Sequence, residues 1–193
     1  MAKTESKQEH VYQIKITLKG SKPPIWRRFQ VTGDTTLQKL HGIIQIVMGW
    51  ENSHLHQFII GGKEFGEPDS EFDDFGPGTF NEKKFKLNNV VKKEKQRFEY
   101  QYDFGDDWRH DILIEKILPL DPSIKYPVVL DGKRACPPED CGGVWGYEDI
   151  LEIIGNPKHE QYEEIMDWLG GEFDPEEFQV DQVNKYLGHP RRL

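Results

Sequence analysis

Cysteine is scarce in this chain: Cys136 and Cys141 are the only two among 193 residues. A secreted chain of this length with two half-cystines is possible, but nothing in the sequence directs export, so both read as thiols in a reducing compartment. Long apolar runs are missing too. No stretch approaches the roughly eighteen residues of a membrane-spanning helix, which sets aside a membrane protein. Residues 1–10 lack the apolar core of a secretory signal, so the expected location is cytoplasmic. Basic charge is lacking where a nucleic-acid binder would need it. Residues 1–97 carry 16 Lys/Arg against 12 Asp/Glu, a balance of +4; residues 98–193 carry 9 against 22, or −13. Phosphate backbones are held by basic faces, so DNA is disfavoured as a partner, and an unknown protein or ligand is expected instead. Also absent are a Walker loop, a Rossmann glycine fingerprint, a nucleophile elbow and a His-Glu-x-x-His helix.

What is present is a globular pattern. Aromatic residues make up 12% of the chain and argue against disorder. Tyr12, Ile14, Ile16 and Leu18 alternate with polar residues, as in a strand with one buried face. Residues 25–31 read as a second strand, and Asp34 as the N-cap of a helix stopped by Gly49. Residues 55–60 follow as a strand, with Gly61-Gly62 as its hairpin turn. An acidic, Gly/Pro-rich loop spans 67–78. Phe98, Tyr100 and Tyr102 alternate, residues 105–107 turn, and Trp108, His110, Ile112 and Ile114 return. A strand over 126–130 ends at Asp131-Gly132, and helices are expected over 147–154, 157–169 and from Asp174-Pro175 to Leu187. Strands fill the first two thirds and helices the last third. That segregation predicts an α+β fold with a mostly antiparallel or mixed sheet. The expected layout is a disordered tail over 1–10, one domain over 11–187, and a short tail over 188–193.

Several segments in one order carry a resemblance. They are Tyr12-Gln-Ile-Lys-Ile-Thr-Leu18 with Pro24-Ile-Trp-Arg-Arg28; Gly49-Trp50 with Ser53-His-Leu-His56 and Gly61-Gly62; Tyr102-Asp-Phe-Gly-Asp-Asp-Trp108 with His110; Cys136-Pro-Pro-Glu-Asp-Cys-Gly-Gly143 with Gly146-Tyr147; and Phe173-Asp174-Pro175. Over about residues 11–187 the chain resembles the plasmid ORF-3-like family, which includes insertion-sequence passenger proteins, some labelled resolvase-like. The resemblance implies an α+β domain of prokaryotic type associated with mobile elements, and it carries over no catalytic residue. A serine recombinase needs a serine amid arginines and a basic DNA-binding helix pair. Ser6 and Ser21 lack the arginines, and the C-terminal half is acidic.

Three clusters could carry chemistry. His54 and His56, two apart on an expected strand, project from one face. With His110, Cys136 and Cys141 they would form a zinc site, the cysteine spacing suiting that metal. The plainer account packs the histidines in the core and makes Cys136 a small buried residue. Asp103, Asp106 and Asp107, with Glu139 and Asp140, could hold a hard cation or act as acid and base. Asp and Gly at 103–106 are also ordinary hairpin chemistry, and Trp108 opens the return strand. Trp26, Arg27 and Arg28 could bind an anion or a base, although in a strand the two arginines face opposite sides; an ion pair to the acidic half is the alternative. Three functions are expected in this order: a binding or adaptor domain, which is favoured; a zinc-dependent hydrolytic enzyme; and, from the family label alone and last, a DNA-recombination accessory protein. No other cofactor is expected.

Overall fold

The computed structural model describes residues 9–67 and 79–188. In chain order the elements are β1 (His10–Leu18), β2 (Trp26–Thr32), α1 (Leu37–Met48), β3 (His56–Ile60), β4 (Lys63–Gly66), β5 (Thr79–Asn81), a 3-10 turn (Glu82–Lys84), α2 (Leu87–Val90), β6 (Arg97–Tyr102), β7 (Trp108–Pro119), β8 (Val128–Lys133), α3 (Gly143–Ile154), α4 (Tyr162–Trp168) and α5 (Val180–Leu187). The eight strands form one mixed sheet in the order β5-β4-β3-β6-β7-β1-β2-β8. Among the described residues only β4 and β5 pair in parallel. The fold is α+β, with the helices after β8 gathered at the C-terminal end. No helix among the described residues is long and apolar enough to cross a membrane.

Alternation along the strands builds the core. Ile14, Ile16 and Leu18 of β1 lie opposite Ile114, Ile112 and His110 of β7, while Ile14 and Ile16 face Phe29 and Arg27 of β2. Next door, Phe98, Tyr100 and Tyr102 of β6 oppose Ile112, His110 and Trp108. Leu37, Leu40, Ile44 and Val47 of α1 belong to the same buried cluster. Each such side chain stabilises the fold by about 1.5–3 kcal/mol relative to exposure. The opposite face is a charged lattice: Arg28 grips Glu115 with two bonds of 2.7 and 3.0 Å, Gln13 adds a third, and Lys19 and Arg109 both reach Glu99.

Arg27 breaks the apolar pattern of the buried face. It is 1% exposed, and its guanidinium donates to the carbonyls of Val47, Trp26 and Lys133 at 2.8–3.0 Å. Phe178 covers it at 3.9 Å. Burial lowers its pKa to about 10, so it stays charged at neutral pH. Carbonyl dipoles and a ring face, not a carboxylate, hold this cation, and they tie α1 to β8. Arg28, on the other face, makes the ion pair to Glu115 and Asp131.

Several boundaries differ from expectation. Thr36, not Asp34, caps α1 by accepting from Lys39 N at 3.2 Å; Asp34 is engaged by the Thr32 hydroxyl at 2.6 Å. β8 runs through Asp131-Gly132 instead of stopping there, because a register shift at Arg28/Phe29 absorbs the extra residue. Asn184 of α5 pairs with both backbone groups of Val129 at 2.7 and 2.9 Å, which blunts this edge strand. Helix α3 starts at Gly143, four residues early, whereas α4 and α5 start only at Tyr162 and Val180. Asp174-Pro175 forms a turn in which Asp174 accepts from Glu176 N. His10 already belongs to β1, not to a tail. The loop expected over 67–78 lies, apart from Glu67, outside the described residues.

Candidate metal centre

Three connections meet at one end of the sheet. The segment after α1 is released by Gly49, which takes the left-handed conformation (φ +107°). The β6–β7 turn begins at Asp103, whose N–H donates to Leu55 O at 2.8 Å. The loop between β8 and α3 closes on that turn, where Gly142 N–H donates to Asp106 Oδ2 at 3.2 Å. Gly143 lies so near the Asp106 carbonyl that a Cβ there would collide with it. Asn52, Asp103, Asp107 and Asp140 all have positive φ, between 53° and 59°. Four left-handed non-glycine residues around one spot are the kind of local strain that gathers at functional sites.

The His54 ring stands at the centre. Its Nε2 lies 3.2 Å from Asp140 Oδ1 and 3.7 Å from both Asp103 Oδ2 and Glu139 Oε2. Ligand atoms of His54, Asp103 and Asp140 all fall within 4.8 Å of one another. Yet His54 Nε2 is buried without a hydrogen bond, and so is Glu139 Oε2. The other Glu139 oxygen is doubly satisfied, by the Tyr102 hydroxyl and Glu51 N–H, each at 2.9 Å. Burial, then the bond to Glu139, raises the Tyr102 pKa, which keeps that hydroxyl a donor. Its oxygen in turn accepts from Ser53 N–H at 3.0 Å.

Donor atoms about 2.1 Å from a common ion stand roughly 3.0–3.4 Å apart in octahedral or tetrahedral geometry. The spacings around His54 lie close to that range. One imidazole with carboxylates suits zinc, manganese or iron(II), and no thiolate is needed. Asp140 is the exposed member of the set, so one side faces solvent.

A family model described as plasmid pRiA4b ORF-3-like protein matches residues 10–182. The chain belongs to this ORF-3-like family. A curated relative, the uncharacterized protein y4hQ of Sinorhizobium fredii (strain NBRC 101917 / NGR234), is 37% identical over 177 residues, which is 91% of this chain and 89% of that protein. A crystal structure of MM3350, a protein of unknown function from Methanosarcina mazei Go1, superposes with a TM-score of 0.83 at 42% identity, covering 91% of this chain and 98% of that one. Neither relative's description names an activity.

The ORF-3-like chain does not assemble the His/Cys zinc set. His54 precedes β3 in a bend, while His56 is the first residue of the strand, and the two rings meet different partners. His56 turns inward to Glu82 Oε2 at 2.9 Å and stacks on His41, ring centroids 3.4 Å apart and nearly parallel. His110 is fully buried, its Nδ1 3.3 Å from Tyr100 O and its Nε2 without a partner. Burial depresses its pKa to about 3. Both cysteines are free thiols, and neither joins a ligand group among the described residues. Burial pushes the Cys136 pKa far up; burial and then Asp106 push Cys141 to about 12.

The remaining expected residues divide. Asp103 belongs to the cluster, and Asp106 ties the turn to Gly142. Trp108 is buried beneath the site, with its ring centroid 5.9 Å from that of Trp50. Trp26 opens β2 on the face opposite the buried Arg27, where Lys15 and Arg28 sit over its ring. Beside the cluster, a cleft of about 640 Å³ opens between α3 and α4, lined in part by Asp140, Asp149, Glu152, His159, Glu164 and Trp168.

Proposed function

We propose that the chain is a divalent-cation-dependent hydrolase whose ion is held by His54, Asp103 and Asp140, with Glu139 beside them. One observation carries this reading. A buried imidazole nitrogen without a hydrogen bond faces three carboxylate oxygens at 3.2–3.7 Å. Asp103 and Asp140 bring carboxylate oxygens within 4.8 Å of each other; like charges that close repel, and a shared cation turns the repulsion into ligation. When bound, such an ion supplies Lewis acidity and acidifies water. Glu139 keeps one free oxygen, as a further ligand or as a proton acceptor. Asp140 connects the cluster to the α3–α4 cleft, which is large enough for a small substrate. The test is equilibrium dialysis against Mn2+ and Zn2+, followed by hydrolysis of p-nitrophenyl phosphate and p-nitrophenyl acetate. One cation per chain in wild type, lost in His54→Ala and Asp103→Asn, together with cation-dependent turnover, supports the reading. No bound cation would end it.

A second reading, a binding or adaptor domain for an unknown protein or ligand, draws on a different feature. Leu55, Phe104 and Trp145 are 68%, 49% and 79% exposed; the first two sit on connections that meet at the site and the third in the first turn of α3, just after the third connection. Apolar side chains ringing a depression are a usual mark of binding surfaces. The word plasmid in the family's description supports a link to mobile elements. The acidic C-terminal half argues for a non-DNA partner, and the two free thiols for the cytoplasm. One continuous buried cluster, running from Tyr12 to Leu187, supports a single folding unit over 11–187.

A further inference from the structure

The segment that delivers His54 is pinned from three directions. Glu51 N–H donates to Glu139, Asn52 N–H to Gln45 Oε1 at 2.9 Å, and Ser53 N–H to the Tyr102 hydroxyl. Two of these anchors are members or supports of the metal cluster itself. The third leads into the core. Gln45 Nε2 donates to the Tyr100 oxygen at 3.0 Å, and Tyr100 lies 2.8 Å from His41 Nδ1. His41 Nε2 lies 2.6 Å from Asn52 Oδ1, which closes a ring back to the residue where it started.

Proton counting orients this ring. Asn52 Oδ1 can only accept, so His41 Nε2 carries the hydrogen. The Tyr100 oxygen already accepts from Gln45, so its own hydrogen points to His41 Nδ1. His41 is therefore neutral, in one defined tautomer, with both nitrogens engaged. Burial, then the neighbouring His56, depresses its pKa to about 3, in agreement with that count. Asn52 is left-handed at φ +59°, a conformation a side-chain tether can hold. It stands two residues before His54.

We propose that His41 is a positioning residue for the cation site, holding Asn52, and through it the His54 imidazole, in ligating position. The inference rests on the proposed cation site. It predicts that the buried face of α1 sets metal affinity from a distance without touching the ion. Groups bonded directly to metal ligands typically change affinity by roughly 10–100-fold; His41 acts one link further out, so that range bounds its effect from above.

The test measures Mn2+ affinity by electron paramagnetic resonance, with amide hydrogen exchange at residues 51–54 read in parallel. His41→Leu removes the donor to Asn52. Asn52→Gly removes the acceptor while keeping the left-handed backbone free of strain, so it serves where His41→Leu fails to fold. His41→Gln can restore a donor near the Nε2 position. Expected are a loss of up to roughly 100-fold in Mn2+ affinity for His41→Leu and Asn52→Gly, faster exchange at 51–54, and recovery of both in His41→Gln. A merely structural histidine would lower the melting temperature in all three variants and leave the affinity of the folded proteins alone. Folded His41→Leu or Asn52→Gly binding Mn2+ like wild type overturns the proposal. Wild type binding no cation overturns the site reading and the ligating role with it. In that case unchanged exchange in His41→Leu removes the positioning of residues 51–54 as well, whereas faster exchange retains it.

Discussion

His54 and His56 are two residues apart and live in opposite surroundings. His54 rides on a connection between elements, with three carboxylates near its nitrogen and no hydrogen bond there. His56 opens a strand, where a single buried carboxylate and a stacked ring satisfy it. The first environment is polar, crowded with like charge and incomplete; the second is closed and paired. A protein interior tolerates polar groups when they are matched, and an unmatched one amid several carboxylates calls for a partner that completes it. On that contrast the two regions should respond oppositely to substitution.

The largest effect is expected on the closed side. Glu82 is 1% exposed and bonded to His56. Glu82→Ala leaves a buried imidazole stacked on another without its acceptor, and should cost about 3–5 kcal/mol. Urea denaturation at pH 7.5 measures it; a loss below about 1 kcal/mol would show that the pair is not the matched unit described.

The pH response comes next. The His41 and His110 pKa values are both depressed to about 3, against about 6.5 in an unfolded chain. The unfolded state therefore takes up protons first as pH falls. The stability from these rings is fully present above about pH 6.5 and drains away toward pH 3. By pH 5 each ring has removed about 2 kcal/mol. Urea midpoints across pH 5–7.5 should fall with a slope nearing two protons, and a flat profile would contradict the burial of both rings.

The open side should behave the other way. Asp103→Asn removes one of three crowded carboxylates while keeping a residue type that accepts positive φ. Without cation the variant should equal or exceed wild type in stability by about 0.5–1 kcal/mol, as like-charge repulsion is relieved. At a Mn2+ concentration 100 times the dissociation constant, wild type should gain about 2.7 kcal/mol and the variant almost nothing. Paired melts with and without Mn2+ give the answer. A variant that loses stability without cation and still gains from Mn2+ would reverse the assignment of this region.

The same contrast explains what could be read along the chain. Alternation located β1, β6 and β7, and the apolar spacing up to Gly49 located α1, because those patterns are local consequences of one buried face. Asp34 and Thr36 are both good caps, and only the tertiary engagement of Asp34 by Thr32 decides between them. His54 was placed on a strand because nothing nearby in the sequence shows that Asn52 turns left-handed and that pairing starts at His56. The sequence groups the carboxylates at 103–107 and 139–140 apart from His54; Asp103, Glu139 and Asp140 lie near its nitrogen, whereas Asp107 pairs with Arg109. Their meeting depends on contacts spanning 36 and more residues, such as Asp106 with Gly142, which no local pattern records. No local pattern singles out His41 or Gln45, because their bonds to Tyr100 and Asn52 need the sheet in place.

The smallest effect on stability falls at Trp145, and it separates the two functional readings most cleanly. At 79% exposure the ring buries little, so Trp145→Ala should shift stability by no more than about 0.5 kcal/mol. An exposed tryptophan in the first turn of α3, close after Asp140 and Cys141, still has a large face to offer an incoming group. If the site is hydrolytic, the variant should keep its Mn2+ affinity and its turnover of p-nitrophenyl acetate, whose small acyl group needs no aromatic wall. If the ring of Leu55, Phe104 and Trp145 is a binding surface, the same substitution should weaken capture of an apolar probe such as ANS while cation binding stays unchanged. Loss of cation binding in Trp145→Ala would mean that the aromatic rim and the carboxylate cluster are one structure, and the distinction between the two readings would collapse.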